Sequence, residues 1–138
     1  HAPHTKEEKN GSYFKAPSGG PLVQHALVAM LDMVHDGVLS VEKVADLMAH
    51  RVARLFRVPD RGFIRPGMKA DLVLVHPNDP WTVREDNVMS KCGWSPFTGH
   101  TFKSRVHETW VNGTCVWNGR RITTSHGNHA GKRLSFNR

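Results

Sequence analysis

Apolar residues change their spacing once along this chain. From Leu22 through Ala26, Leu27, Met30 and Leu31 to Val34 they recur at three and four residues, which predicts an amphipathic helix. Pro21 suits its first turn, and Gly37 suits the left-handed position after its last. A second helix is predicted from Ser40, an N-cap, along Val41, Val44, Met48, Val52 and Phe56, with Pro59-Asp60 as its stop. At Gly62 the helical period ends. Arg65-Pro66-Gly67 reads as a turn, and Asp71 to His76 as a short strand rich in branched side chains. Arg105 to Val111 and Thr114 to Trp117 are two further strands joined by Asn112-Gly113, the strongest hairpin signal in the chain. Asn118-Gly119 offers a second turn, with Arg121 to Thr123 returning to the sheet.

The remaining stretches lack a period. Residues 1–20 contain the charged run Lys6 to Lys9, a turn at Asn10-Gly11, and the loop Pro17-Ser18-Gly19-Gly20-Pro21. The two glycines permit close backbone approach to a ligand, and the helix behind them carries unpaired N–H groups. A plain helix-entry loop has the same spelling. His25 lies off the apolar stripe and reads as a rim or packing histidine. Residues 81–104 read as an irregular loop packed down by Trp81, Trp94, Phe97 and Phe102, and residues 125–138 as a loosely held tail with His126 and His129 on its surface.

Composition narrows the classes. No apolar run approaches the roughly 20 residues of a membrane span, and the start lacks a signal-peptide order. Nineteen basic against 12 acidic residues give a net charge of +7. Apart from the end of the tail this excess is dispersed, and His50 with Arg51, Arg54 and Arg57 belongs to a helix C-terminal half, where positive charge suits the dipole. Cys92 and Cys115 are too few and too far apart for a zinc knuckle and read as reduced thiols.

His1-Ala2-Pro3-His4 holds two imidazoles on a short stiff segment. Such rings can bind metal, move protons or donate to an anion; the same residues also suit a mobile end. A His-x-x-His in a loop does not complete a metal site, which needs three or four ligands. No Walker loop, nucleotide fingerprint or nucleophile elbow is present. From residue types alone the segment is half an active site.

His1-Ala2-Pro3-His4-Thr5, followed by Glu8-Lys9, resembles the Asp-His-Ala-Pro-His segment of dihydroorotases in the cyclic amidohydrolase family. Pro17-Ser18-Gly19-Gly20, Ala53-Arg54-Leu55-Phe56, the stretch from Gly62 to Val73, Trp94-Ser95-Pro96-Phe97 and Thr109 to Gly113 continue the resemblance in order. The first segment and Trp94 to Phe97 point to dihydroorotase, whereas Gly62 to Val73 is shared with hydantoinase- and allantoinase-like enzymes.

The resemblance implies an α/β fold: the C-terminal part of a metal-dependent (β/α)8 TIM barrel plus part of a small β-rich, sandwich-like domain. Residues 1–60 would be the last active-site loop and closing helices, 61–124 the β-rich segment with its connecting loop, and 125–138 the tail. It implies reversible hydrolysis of dihydroorotate to N-carbamoyl-aspartate, with a zinc pair activating water. The proton-accepting aspartate is expected immediately before His1, and the metal ligands also outside this chain, so the chain alone is expected to be a C-terminal fragment without activity. His4 would contact the substrate carboxylate through a charge-assisted N–H···O bond, and backbone groups at Pro17, Ser18 and Gly19 would contact the ring amide. The expected partners are a missing N-terminal barrel segment and further copies in a homodimer or higher oligomer, in the cytoplasm, with no membrane or nucleic acid. Alternatives are an allantoinase- or dihydropyrimidinase-like enzyme, a basic nucleic-acid-binding module, and a catalytically silent assembly protein.

Overall fold

The computed structural model describes residues 4–123 and 130–137. His1, in the first motif, and His126 and His129 of the tail lie outside these residues. A short helix α1 (Lys6–Lys9) opens the described chain, where no periodic element is expected. It forms because Thr5 and Glu8 make a reciprocal capping box, which satisfies end N–H groups that four residues could not otherwise offset. The turn expected at Asn10-Gly11 falls slightly later, with Lys15 N and Ala16 N both donating to Ser12 O at 2.9 and 3.0 Å.

Helix α2 (Ala26–His35) begins five residues after Pro21, not at it. Leu22 N donates to Gly20 O at 3.0 Å, so the fixed φ of Pro21 serves a three-residue γ-turn instead of the first helical turn. The helix ends as expected, with Gly37 at φ 72°. Ser40 then caps α3 (Val41–Ala45), its Oγ accepting from Lys43 N at 3.2 Å. A π-helical turn over Asp46–His50 leads directly into α4 (Arg51–Leu55), so the predicted second helix is one helical segment with a widened middle turn.

The connection out of α4 runs close to the helix. Arg57 is left-handed at φ 53°, and at Gly62 (φ 82°) an added Cβ would lie 2.5 Å from Ala53 Cβ and 3.0 Å from Ala49 O. Beyond it three antiparallel strands form a sheet in the order β1 (Leu72–His76), β4 (Arg105–Val111), β5 (Thr114–Trp117). Asn112 (φ 49°) and Gly113 (φ 78°) supply the two left-handed residues of the expected hairpin turn. Trp117 pairs with Ile122 by one bridge, the return predicted after Asn118-Gly119. Arg61 ties this turn to the residue that precedes β1: its guanidinium bonds the Asp71 carboxylate and donates to Asn112 Oδ1 at 2.9 Å, while Asn112 N donates to Asp71 Oδ1 at 2.7 Å.

Residues 81–104 hold more order than expected. β2 (Trp81–Thr82) pairs with β3 (Thr101–Phe102), and a 3₁₀ turn covers Glu85–Asn87. Strands of two residues are too short to show a period, which is why the pattern reads as irregular. The anchoring by aromatics does hold. Phe102, Val83 and Val28 of α2 are fully buried, with Trp81, Phe97 and Val106 packed around them. Polar contacts lock α2 to this loop: Gln24 Nε2 donates to Asn87 O, and Gln24 Oε1 accepts from Met89 N, each at 2.8 Å. The tail touches the body at two described points, Asn112 Nδ2 donating to Ala130 O (2.6 Å) and Asn137 N to Arg57 O (3.0 Å). The short α1, two longer helical segments and two small sheets thus make an α/β arrangement, and no closed barrel occurs among the described residues.

Candidate substrate-binding site

His4 is the one imidazole of the first motif within the described residues, and three groups fix its surroundings. Glu8, one turn on, accepts from Thr5 N at 2.7 Å through Oε2, and the same oxygen is 3.4 Å from His4 Nδ1. The capping box that starts α1 therefore also holds a carboxylate against one side of the imidazole, which leaves Nε2 for another partner. From the far end of the chain, the half-buried Trp94 donates its indole N–H to His4 O at 2.7 Å. The third group is Lys9, whose ammonium bonds Pro17 O and, at 2.5 Å, Gly19 O.

Pro17, Ser18 and Gly19 are thus joined to the helix that follows His4. Gly19 has φ 92°, and an added Cβ there would meet nothing within 4 Å. Its glycine is required by the backbone conformation, and the space beside it is open. Among the described residues no backbone N–H of Ser18, Gly19 or Gly20 donates to a protein acceptor. The site therefore combines an imidazole backed by a carboxylate with a glycine loop carrying backbone donors, a set suited to an anionic or amide-bearing ligand. Trp94 and Lys9 are absent from the site read in the sequence. Both stand in the motifs that carry the resemblance, but a bond across 90 positions leaves no mark in a local pattern.

The other histidines and basic groups have local roles. His25, the residue before α2, is fully buried, with ring centroids 5.9, 5.8 and 5.8 Å from Trp81, Phe97 and Phe102. It is a packing histidine of the interior, not of a rim. Ser95 Oγ lies 3.2 Å from its Nδ1, and Nε2 has no hydrogen-bond partner among the described residues. Burial pushes the His25 pKa below its ordinary value of 6.5. Below that pH the unfolded ring takes up a proton that the folded ring resists, so the unfolded state binds more protons and stability is lost as the pH is lowered. The urea midpoint is accordingly expected to drop from pH 7.5 to 5.5, and His25→Gln to flatten that slope; an equal slope in the variant contradicts the assignment. The arginines near α4 also act locally: Arg51 Nε donates to Asp46 Oδ2 at 2.6 Å, and Arg54 and Arg65 lie over the Phe63 ring at 5.1 and 4.8 Å.

Zinc is the cofactor implied by the resemblance, and the residues here do not form a set of ligands for it. No group of three or more His, Cys, Asp or Glu is placed to hold a metal ion among the described residues. No helix among them is long and apolar enough to cross a membrane. Cys92 and Cys115 are both free thiols.

Residues 11–117 match the model of the amidohydrolase family. The chain is 42% identical to dihydroorotase of Halobacterium salinarum over 127 residues, covering 92% of this chain and 30% of that protein. It is 37% identical to dihydroorotase of Clostridioides difficile, covering 86% of this chain and 28% of that protein. The D-hydantoinase of Bacillus sp. AR9 has a similar structure, with a TM-score of 0.82 at 26% identity, over 89% of this chain and 28% of that one. The chain therefore spans about 30% of the length of the curated relatives it matches. Its helices and small sheet are a partial amidohydrolase-type α/β fold, related to that of the hydantoinases. A family match over most of the chain, in the order of its motifs, and this shared architecture make the chain a member of the amidohydrolase family.

Proposed function

We propose that the chain is the substrate-carboxylate side of a dihydroorotase, an enzyme that opens the cyclic amide of dihydroorotate to N-carbamoyl-aspartate and closes it again. The observation that supports this most is the bridge from Lys9 to the Pro17 and Gly19 carbonyls, which brings the His4 segment and the glycine loop onto one scaffold. His4 donates a ring N–H to the ring carboxylate, with Glu8 holding the Nδ1 side of the imidazole. The backbone of Pro17, Ser18 and Gly19 meets the ring amide and limits the orientations the substrate can take. Holding the ring by its carboxylate and amide separates dihydroorotate from uncharged cyclic amides, because a donor left facing an absent carboxylate is desolvated without compensation.

The zinc pair and the aspartate that accepts the proton from the attacking water are assigned to residues outside this chain, and the chain's own part in the reaction is to bind and orient. Residues 1–60 then belong to the last active-site loop and closing helices of a barrel, and 61–124 to a small β-rich domain, in a cytoplasmic homo-oligomer. The hydantoinase structure favours a second reading within the same family, a hydrolase of uncharged cyclic amides. The full-length parent enzyme, assayed with dihydroorotate, allantoin and dihydrouracil, tests the choice. The expected result is a kcat/KM for dihydroorotate at least about 100-fold above the other two, the discrimination given by paired against unpaired polar contacts. Equal or better use of dihydrouracil contradicts it.

A further inference from the structure

We propose that Lys9 is a positioning residue which sets the direction of the backbone donors in the Ser18–Gly20 loop; this rests on the dihydroorotase reading for the identity of what those donors meet. An ammonium has three donors and no acceptor, and here two of them go to carbonyls of one loop, Pro17 O and Gly19 O. In a trans peptide the C=O and the following N–H point in opposite directions within one plane. Turning the Pro17 and Gly19 carbonyls toward Lys9 therefore turns the N–H groups of Ser18 and Gly20 away from it. Neither of these N–H groups, nor that of Gly19 between them, donates to a protein acceptor among the described residues. Gly19 at φ 92° permits the reversal of direction that lets both carbonyls reach one ammonium.

Lys9 is half-buried and lies at the end of α1, whose first turn is fixed by Thr5 and Glu8 beside His4. The lysine thus couples the imidazole to the loop: if α1 moves, both sets of donors move together. Lys9 acts through the loop and does not itself touch the substrate.

The test uses Lys9→Met and Lys9→Arg in the full-length metal-loaded enzyme, with two readouts. The backbone order parameters of Ser18, Gly19 and Gly20 are expected to fall from about 0.85 to below about 0.6 in Lys9→Met, since the two carbonyl bonds no longer hold the loop. The KM for dihydroorotate is expected to rise about tenfold, with kcat changed by less than about threefold, because a mispositioned loop weakens binding of the ring. Lys9→Arg, which keeps charged donors, is expected to recover most of both effects. Adding His4→Ala to Lys9→Met is expected to cost less than the product of the single effects, because the two share one site. Unchanged order parameters in the loop overturn the proposal whatever the substrate. Lowered order parameters with unchanged KM on a dihydroorotate-hydrolysing parent also overturn it, as does an additive double mutant. A parent that does not hydrolyse dihydroorotate at all sinks the dihydroorotase reading instead, and the order parameters then still decide whether Lys9 aims the loop.

Discussion

Replacing His4 by alanine in the full-length enzyme is expected to lower kcat/KM for dihydroorotate about 10- to 100-fold while leaving bound metal unchanged. The magnitude follows from one hydrogen bond to a charged group, worth about 1.5–3 kcal/mol. Glu8 holds the Nδ1 side of the imidazole at 3.4 Å, and Trp94 anchors the His4 carbonyl at 2.7 Å, so the ring is presented from a fixed backbone. Removing it leaves that backbone in place, because Trp94 bonds the main chain and not the side chain. The loss therefore falls on substrates with a ring carboxylate. Turnover of dihydrouracil, which has none, is expected to change by less than about threefold. Metal content measured on the same preparations separates lost binding from a lost site. An unchanged kcat/KM for dihydroorotate contradicts the role of His4, and loss of metal contradicts its placement apart from the metal ligands.

The largest effect on stability is expected at Gly62. Its φ of 82° strains any residue with a Cβ, and the added atom would stand 2.5 Å from Ala53 Cβ and 3.0 Å from the Ala49 carbonyl. Neither neighbour can swing aside: one is a buried methyl group and the other is helix backbone. Left-handed strain costs about 1–2 kcal/mol and overpacking about 1–3 kcal/mol. Gly62→Ala is thus expected to destabilise by about 2–5 kcal/mol, read as a fall in urea midpoint with little change in slope. Gly67 supplies the control. At φ 84° it has the same strain, but an added Cβ meets nothing within 4 Å, so Gly67→Ala is expected to carry the strain alone. Equal losses at the two positions contradict the packing explanation.

Features written in adjacent residues are read correctly from the sequence, and those made by distant residues are not. Asn112-Gly113 gives its hairpin, Ser40 its cap and Gly37 its helix end, because each is a local conformational demand. The helix expected from Pro21 starts at Ala26, since the same fixed φ also serves a γ-turn and the pattern cannot choose between them. β2 and β3 escape notice because their pairing joins Trp81 to Phe102 across an intervening loop. The π-helical turn at Asp46–His50 is a local change of backbone hydrogen-bond spacing that no residue type marks.

The site shows the same division. His4, Pro17, Ser18 and Gly19 stand out through motifs, and the structure joins their two segments through Lys9. Lys9 itself looks like one more charge in the Lys6–Lys9 run, and Trp94 like one more aromatic in a packed loop. Their partners, two loop carbonyls and the His4 carbonyl, are backbone atoms that every residue possesses. No residue type could have announced them.

The central claim is that His4 and the Pro17–Gly19 loop receive the carboxylate and amide of one ring. A crystal structure of the full-length enzyme with dihydroorotate bound measures this directly. The account predicts a ring nitrogen of His4 within about 3.2 Å of a substrate carboxylate oxygen, with the Pro17–Gly19 backbone at hydrogen-bond distance from the ring amide. A carboxylate bound elsewhere, with His4 more than about 4 Å from any substrate oxygen, contradicts it.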